Sequence, residues 1–166
     1  MDGFETDKLL CKIAEGDNTA FEELYVKTAR GIYAFLYSYF KNSHDTEDAL
    51  QSVFLKIKKN ISSYVAGTNG RAWIFQIAKN QALTQIKLKA RTDEYETPQD
   101  NAFIKTEIMD AAQRVLTVDE QRVLVLYFLW GYKHREIGEI LECPTGTITS
   151  KHKRALEKLR NALKEN

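Results

Sequence analysis

Apolar residues recur at helical spacing along almost the whole chain, whereas the apolar–polar alternation of a β-strand is nearly absent. The 166 residues include only two prolines and eight glycines, which is too few turn formers for a many-stranded sandwich or barrel. Hydrophobic residues make up 43% of the chain, and this is enough to build a core. The sequence therefore predicts an all-α protein.

The composition changes sharply at one place, the polar segment RTDEYETPQDN at residues 91–101. This segment carries one base, four acids and one of the two prolines. Such a composition is typical of a linker between separately folded parts. We therefore expect two small helical lobes, residues 1–90 and 103–166, joined by a flexible acidic linker over residues 91–102.

Two segments match a capping box, in which a Ser or Thr and a Glu three residues later cap each other's backbone at a helix start. Thr19–Glu22 predicts the start of a helix in the first lobe, and Thr117–Glu120 predicts one in the second. Gly16 is expected just past the end of the first helix, where glycine tolerates a left-handed backbone.

The last fifty residues contain the sharpest local pattern. Ile137, Ile140 and Leu141 form the apolar face of a short helix, and the segment Cys143–Gly146 breaks it at a proline. The next helix has Ile148, Ala155, Leu159 and Leu163 at inward positions. A helix, a tight turn and a second helix predict a DNA-binding helix-turn-helix.

The net charge of +1 conceals strong segregation of charges along the chain. Residues 61–92 contain five bases and no acid, and the final helix carries six bases against two acids. One basic helix in each lobe is the arrangement that a two-point contact with a phosphate backbone requires. In the first lobe, Trp73 and Tyr64 accompany these bases, and basic residues beside aromatic rings are suited to hold a single strand, although core packing of Trp73 is the alternative.

The residues of the final helix fall into two predicted roles. If its first turns enter the major groove, Thr147, Thr149, Ser150 and Lys151 face base edges. Lys153, Arg154 and Lys158 are then expected to contact phosphates, which adds affinity without sequence information.

Other classes of protein are not favoured. His44, His134 and His152 lie outside any catalytic motif, and Cys11 and Cys143 form no zinc-binding pair, so we expect no enzyme, metal or cofactor. The longest apolar run of the C-terminal half, Val123–Trp130, is too short to cross a bilayer, and the N-terminus does not resemble a signal peptide, so we expect a soluble cytoplasmic protein. A stand-alone helix-turn-helix regulator that binds duplex DNA is one function that fits these features.

Four segments together resemble the extracytoplasmic-function group of bacterial sigma factors. They are IAEGDNTAFEELY (13–25), DTEDALQSVFLKI (45–57), RAWIFQIAKNQALTQIK (71–87) and REIGEILECPTGTITSKHKRALEKLR (135–160). They are similar to the motifs GD-x-x-AF-x-x-LY, AED-x-x-Q-x-x-F, WL-x-x-IA-x-N and EIA-x-x-L…TV-x-x-x-x-x-RA-x-x-LR of that group. The resemblance implies a sigma region two, a linker and a region four that carries the helix-turn-helix.

The resemblance also implies partners and roles for particular positions. Core RNA polymerase is expected to be bound by Asp48, Gln51, Phe54 and Leu55. The melted strand of the −10 promoter element is expected to meet Trp73, Gln76, Lys79, Asn80 and Lys87, with residues 65–70 setting the preference there. The helix of residues 144–160 matches the −35 reader, an anti-sigma protein is the expected inhibitor, and the acidic linker is expected to thread the polymerase's RNA-exit path.

Four positions depart from the motifs of the group. Lys58 stands where a large residue such as tryptophan is frequent, and Thr84 stands where aspartate is usual. Lys133 replaces a common serine cap, and Gly138 replaces the alanine of EIA, a change expected to cost about 1 kcal/mol in a helix interior.

Overall fold

The computed structural model describes residues 3–92, 111–112 and 114–164, without the side chains of residues 91 and 92. The predicted linker (residues 91–102) and the start of the predicted second lobe at residue 103 thus lie almost wholly outside the described residues. The chain divides into two compact units, Met1–Gln99 and Asp100–Asn166. Within the described ranges every regular element is helical, which confirms the all-α prediction.

The N-terminal unit contains four α-helices and one short 3₁₀ turn. They are Gly3–Ala14 (α1), Asn18–Phe40 (α2), Ser43–Asn60 (α3), the 3₁₀ turn Ile61–Ser63, and Gly70–Thr92 (α4). The buried core draws on all four α-helices and includes Leu10, Leu24, Ile32, Phe35, Ile57, Ile74 and Phe75. The rings of Phe35 and Phe75 meet edge to face, with centroids 5.1 Å apart, and thereby fasten α4 to α2.

The capping box predicted at Thr19–Glu22 is wrong. Gly16 has a φ of +94° and turns the chain immediately after α1, as expected for a glycine past a helix end. Asp17 therefore stands at the start of α2, and its side chain accepts a 3.1 Å hydrogen bond from the N–H of Ala20. Because α1 and α2 are so close in sequence, the first available side-chain oxygen caps the helix.

In the C-terminal unit, residues 111–112 and 114–115 are helical, and the predicted capping box follows them. Thr117 accepts a hydrogen bond from the N–H of Glu120, whose carboxylate accepts one from the N–H of Thr117. The helices are Val118–Leu124 (α5), continued by a π-helical turn Val125–Leu129, then His134–Leu141 (α6) and Thr145–Lys164 (α7). The core includes Leu126, Ile137, Ile148 and Ala155, whereas Leu163 is exposed, contrary to its predicted inward position.

The turn of the predicted helix-turn-helix runs between α6 and α7. Glu142 closes α6 with a left-handed backbone (φ 53°, ψ 48°), and the N–H of Cys143 donates to the carbonyl of Gly138 over 2.8 Å. A Cβ at position 138 would lie 2.6 Å from the carbonyl oxygen of Cys143. The close approach of the turn therefore requires glycine at this position, where the family motif has alanine. This steric requirement outweighs the low helix propensity of glycine that the sequence analysis noted.

Candidate nucleic-acid and polymerase interfaces

Helix α3 presents an exposed stripe formed by three of the four residues predicted to bind polymerase. At about 100° per residue, Asp48, Gln51 and Leu55 lie within an arc of about 60° around the helix, and all three are exposed. Leu55 is 69% exposed and lies on the same side of the helix as the polar side chains of Asp48 and Gln51. We call these three residues the α3 stripe.

Phe54, the fourth residue of that prediction, lies about 90° around the helix from the middle of this stripe and is only 4% exposed. Its ring packs against those of Tyr25 (centroids 4.7 Å apart) and Phe21 (6.1 Å), both on α2. In this structure Phe54 holds α3 on α2, so it orients the α3 stripe and is not itself part of that surface.

On α4, most of the residues predicted to meet the −10 strand share one face. Trp73, Gln76, Asn80 and Lys87 fall within an arc of about 60° around the helix axis. The last three are exposed and Trp73 is half-buried. Lys79 lies off this arc and is 9% exposed, so its side chain is in the interior of the unit. We call the first four residues the α4 face.

The acid-free segment does not form the continuous basic surface that its charge count predicted. Arg71 and Lys79 are buried, and Lys89 forms an ion pair with Asp45 at 2.6 Å. Among the bases of this segment whose side chains are described, Lys87 is the exposed one without such a pairing. A sum over sequence counts each charge equally, whereas the helix turns some of these side chains inward.

The Asp45–Lys89 pair ties the start of α3 to the last third of α4. Asp45 is 5% exposed and also receives a 2.8 Å hydrogen bond from the side chain of Asn42, which caps α3. Burial opposes ionisation of this carboxyl, but the hydrogen bonds from Lys89 and Asn42 outweigh it and hold its pKa below the usual value. The carboxylate therefore stays charged, and the ion pair fixes the distal part of α4.

The exposed loop before α4 is fastened at its base by aromatic and polar contacts. The rings of Tyr64 and Trp73 lie 5.3 Å apart, and the Tyr64 hydroxyl donates a hydrogen bond to Asp7 on α1. Burial, together with that carboxylate, raises the pKa of Tyr64 to about 12. Asn69 caps α4 by accepting a 3.1 Å hydrogen bond from the N–H of Ala72. The pairing with Tyr64 gives Trp73 a position between the core and the loop.

Helix α7 turns Ile148 and Ala155 into the core and three predicted DNA contacts outward. Ser150, Lys153 and Arg154 are exposed and lie opposite the buried pair. Thr147 and Thr149 are also exposed in the first turns. The Oγ atoms of Ser150 and Thr149 each donate a 3.0 Å hydrogen bond to a carbonyl four residues earlier, so both keep acceptor capacity for a ligand.

Two of the predicted DNA-contacting lysines are instead engaged within the unit. Lys151 pairs with Asp119 at 2.6 Å, and Lys158 pairs with Glu120 at 2.8 Å. The hydrogen bond from Lys151 holds the pKa of Asp119 below its usual value. Both acids lie in the first turn of α5, where the helix dipole also favours a negative charge. No local sequence pattern indicates these pairs, because 32 and 38 residues separate the partners.

A histidine pair links the two helices of the helix-turn-helix, although the two residues are 18 positions apart in sequence. His134 Nε2 and His152 Nδ1 are 2.9 Å apart, and the ring of Tyr127 lies against both imidazoles. Burial, and then the charge of His134, lower the pKa of His152. One of the facing nitrogens must donate and the other accept, so the contact excludes a proton on both.

Within residues 3–92, 111–112 and 114–164, no group of three or more His, Cys, Asp or Glu side chains is placed to hold a metal ion. None of the helices over the same ranges is both long and apolar enough to cross a membrane.

Comparison with known proteins gives consistent results for both units. The family model of sigma-70 region 2 matches residues 24–92, and that of sigma-70 region 4 matches residues 114–161. The RNA polymerase sigma factor CarQ of Myxococcus xanthus is 28% identical over 93% of this chain and 95% of its own length. The ECF RNA polymerase sigma factor SigW of Bacillus subtilis is 25% identical over 95% and 96%, respectively.

Solved structures share the fold. One is the sigma factor RpoE of Bartonella quintana, crystallised with the anti-sigma factor NepR. The match covers 86% of this chain and 95% of RpoE, with a TM-score of 0.67 and 24% identity. CnrH, in complex with the cytosolic domain of CnrY, covers 98% of this chain and 99% of its own, also with a TM-score of 0.67, at 19% identity. With two region models in the expected order and relatives matched over nearly their full length, the chain belongs to the sigma-70 family and is an RNA polymerase sigma factor of the extracytoplasmic-function group.

Proposed function

We propose that the α3 stripe binds core RNA polymerase, the α4 face holds the opened −10 strand, and the outward side of α7 reads the −35 duplex. The observation that supports this division of labour is exposure: most of the side chains assigned to each role share one solvent-facing side of a rigid helix. The acidic residues 91–102 act as the tether between the two DNA contacts, and their path is the RNA-exit channel of the polymerase.

The polymerase contact is argued from the mixed character of the α3 stripe. Leu55 offers an exposed apolar side chain, and Asp48 and Gln51 supply polar groups beside it. An apolar centre with a polar rim is the usual composition of a protein interface. Phe54 supports this surface from the interior through its contacts with α2.

The −10 contact uses the α4 face together with the loop that precedes it. Asn80 and Gln76 offer amide donors and acceptors for a base edge, Lys87 offers a charge to the backbone, and the Trp73–Tyr64 pair forms an aromatic wall. Holding an extruded base offsets the unstacking cost of a few kcal/mol. Lys79 is left out of this contact because of its burial.

The −35 contact uses the exposed part of α7. Thr147, Thr149 and Ser150 stand in the first turns, where a recognition helix meets base edges, and Lys153 and Arg154 are placed for phosphates. Lys151 and Lys158 take part only if DNA draws them away from their acidic partners on α5.

The protein acts with its polymerase in the cytoplasm and performs no catalysis of its own, since RNA synthesis is carried out by the polymerase. An anti-sigma protein is the proposed inhibitor. This proposal draws on the Bartonella quintana sigma factor, which was crystallised with one.

The test is retention of purified core RNA polymerase by the immobilised full-length protein. The variants Asp48→Arg and Leu55→Glu are expected to lower retention at least tenfold. Asp48→Arg reverses a charge beside the apolar contact, and Leu55→Glu places a charge on the apolar contact itself. Glu15→Arg, an equal charge change at an exposed acid after α1, serves as the control and is expected to bind normally.

Two results would contradict the proposal. Equal retention of all variants would remove the α3 stripe from the interface. DNA binding without any polymerase binding by the unmodified protein would favour a stand-alone helix-turn-helix regulator.

A further inference from the structure

The loop between the 3₁₀ turn and α4 is attached to α1 through the side chain of Asp7. Asp7 accepts hydrogen bonds through the same oxygen, Oδ1, from the hydroxyl of Tyr64 and from the N–H of Gly67, the latter at 3.1 Å. The donors lie 57 and 60 residues further along the chain. One carboxylate on the first helix thus fixes two points of a distant loop.

Burial cannot position this loop, because Val65, Ala66, Gly67, Thr68 and Asn69 are all exposed. Its internal hydrogen bonds, from the N–H and Oγ of Thr68 to the carbonyl of Val65, close a turn but do not attach it to the rest of the unit. Gly67 has a φ of +79°, so its N–H is presented by a backbone conformation that other residues rarely adopt. The contact with Asp7 therefore selects where the turn stands.

Close packing at the end of the loop makes α1 a fixed platform for it. A Cβ on Gly70 would lie 2.8 Å from Leu10 Cδ1, 3.0 Å from the Tyr64 hydroxyl and 3.3 Å from the backbone nitrogen of Asp7. The start of α4 is thus pressed onto α1 at the level of Asp7. Because Tyr64 also packs on Trp73, a change at Asp7 is transmitted to the first residue of the α4 face.

We propose that Asp7 is a positioning residue for −10 recognition: from α1, it holds the loop of residues 65–69 and the Tyr64–Trp73 pair in the arrangement that discriminates bases of the opened strand. The proposal rests on the function proposed above for the loop and the α4 face. Asp7 lies outside the stretch matched by the region 2 model, which begins at residue 24. Its role follows from the two hydrogen bonds and the packing at Gly70.

The experiment measures base preference at each −10 position by transcribing a promoter library, randomised in that element, with core polymerase and the full-length protein. Asp7→Ala removes both hydrogen bonds and is expected to reduce discrimination about tenfold. Asp7→Asn keeps an acceptor oxygen and is expected to retain most of the preference. Glu15→Ala is the control, since it removes an exposed acid that follows the same helix and has no described side-chain contact with the loop.

A second variant separates positioning from mere stability. Tyr64→Phe removes one of the two donors and keeps the ring against Trp73, so it should reproduce part of the Asp7→Ala effect and add little to it in the double variant. Polymerase retention and binding to an isolated −35 duplex are expected to stay within twofold of wild type for all these proteins.

The outcomes distinguish this inference from the function beneath it. If the wild-type protein supports no transcription, the proposed function fails. If the wild-type protein discriminates −10 bases and Asp7→Ala does so equally well, the positioning role is overturned. A uniform loss of transcription in Asp7→Ala with unchanged base preference also overturns it, because that result indicates only a loss of folded protein.

Discussion

Replacing Asp119 by asparagine should strengthen −35 binding, although the residue is not proposed to touch DNA. Lys151 Nζ lies 2.6 Å from Asp119 Oδ2 and was predicted from sequence to face base edges. It cannot do both fully, so DNA must compete with the carboxylate for this lysine. Asparagine keeps the size of the side chain and removes its charge.

The size of the gain follows from the exposure of the pair. The side chains of Lys151 and Asp119 are 21% and 52% exposed, so water screens their attraction. Ion pairs of this kind contribute about 0.2–1 kcal/mol, which corresponds to at most about a fivefold gain in affinity once the competitor is removed. Loss of a negative charge near the phosphates acts in the same direction. The steepness of the salt dependence should rise by about one unit if Lys151 then engages a phosphate.

The assay is fluorescence anisotropy on a labelled duplex selected by the wild-type protein from random sequence, titrated at several salt concentrations. Glu139→Gln, which removes an exposed acid from α6, controls for net charge. In a Lys151→Ala background, Asp119→Asn should give only the small gain that comes from losing a negative charge, as Glu139→Gln does. Unchanged or weaker binding by a folded Asp119→Asn protein would refute competition for Lys151, and an equal gain from Glu139→Gln would reduce the effect to general electrostatics.

Three further predictions concern the stability of the units. Gly138→Ala should lower the free energy of unfolding by about 1–3 kcal/mol, because its Cβ would lie 2.6 Å from the Cys143 carbonyl; calorimetry showing a more stable protein would contradict this. Asp45→Ala should cost roughly 2 kcal/mol because it removes the buried carboxylate that both Lys89 and Asn42 bind, and an unchanged denaturation midpoint would count against it. The pKa of His152 is lower in the folded chain than in the unfolded one, so the unfolded chain takes up the proton first and stability should fall as pH drops below about 6.5; His152→Asn should flatten this dependence, and an unaltered slope would reject it.

The fold was predictable because its signals are local. Helical periodicity, the Thr117 capping box and the positive φ at Gly16 each depend on a few neighbouring residues, and each is found as expected. The incorrect helix start at Thr19 differs by only two residues and follows from Asp17 reaching the free N–H groups first. Such choices between adjacent caps depend on the path of the preceding turn, and that path is not readable from composition.

The candidate interfaces remain predictions, and the structure shows which of their side chains are exposed. The residues of the α3 stripe and the α4 face were assigned by resemblance to the family, whereas the inward direction of Phe54 and Lys79 depends on packing by other helices. The pairing of Lys151 with Asp119 joins residues far apart in sequence, so no local sequence pattern predicts it. Charge sums overestimated the basic surface for the same reason.

The histidine pair and the need for glycine at position 138 could not be predicted from the sequence either. His134 and His152 are uninformative until α6 and α7 bring them within 2.9 Å. Gly138 was expected to weaken α6, whereas in the structure the turn after α6 passes too close to position 138 to allow a side chain there. In both cases the physical reason is a tertiary contact across the helix-turn-helix.

Transcription from a supercoiled library of random promoters, with core polymerase and the purified full-length protein, tests the central claim most directly. The transcripts are expected to share two upstream elements at a fixed spacing, with the −35 preference altered in Ser150→Ala and the −10 preference altered in Asn80→Ala. Transcript levels no higher than those of core polymerase alone would contradict the account.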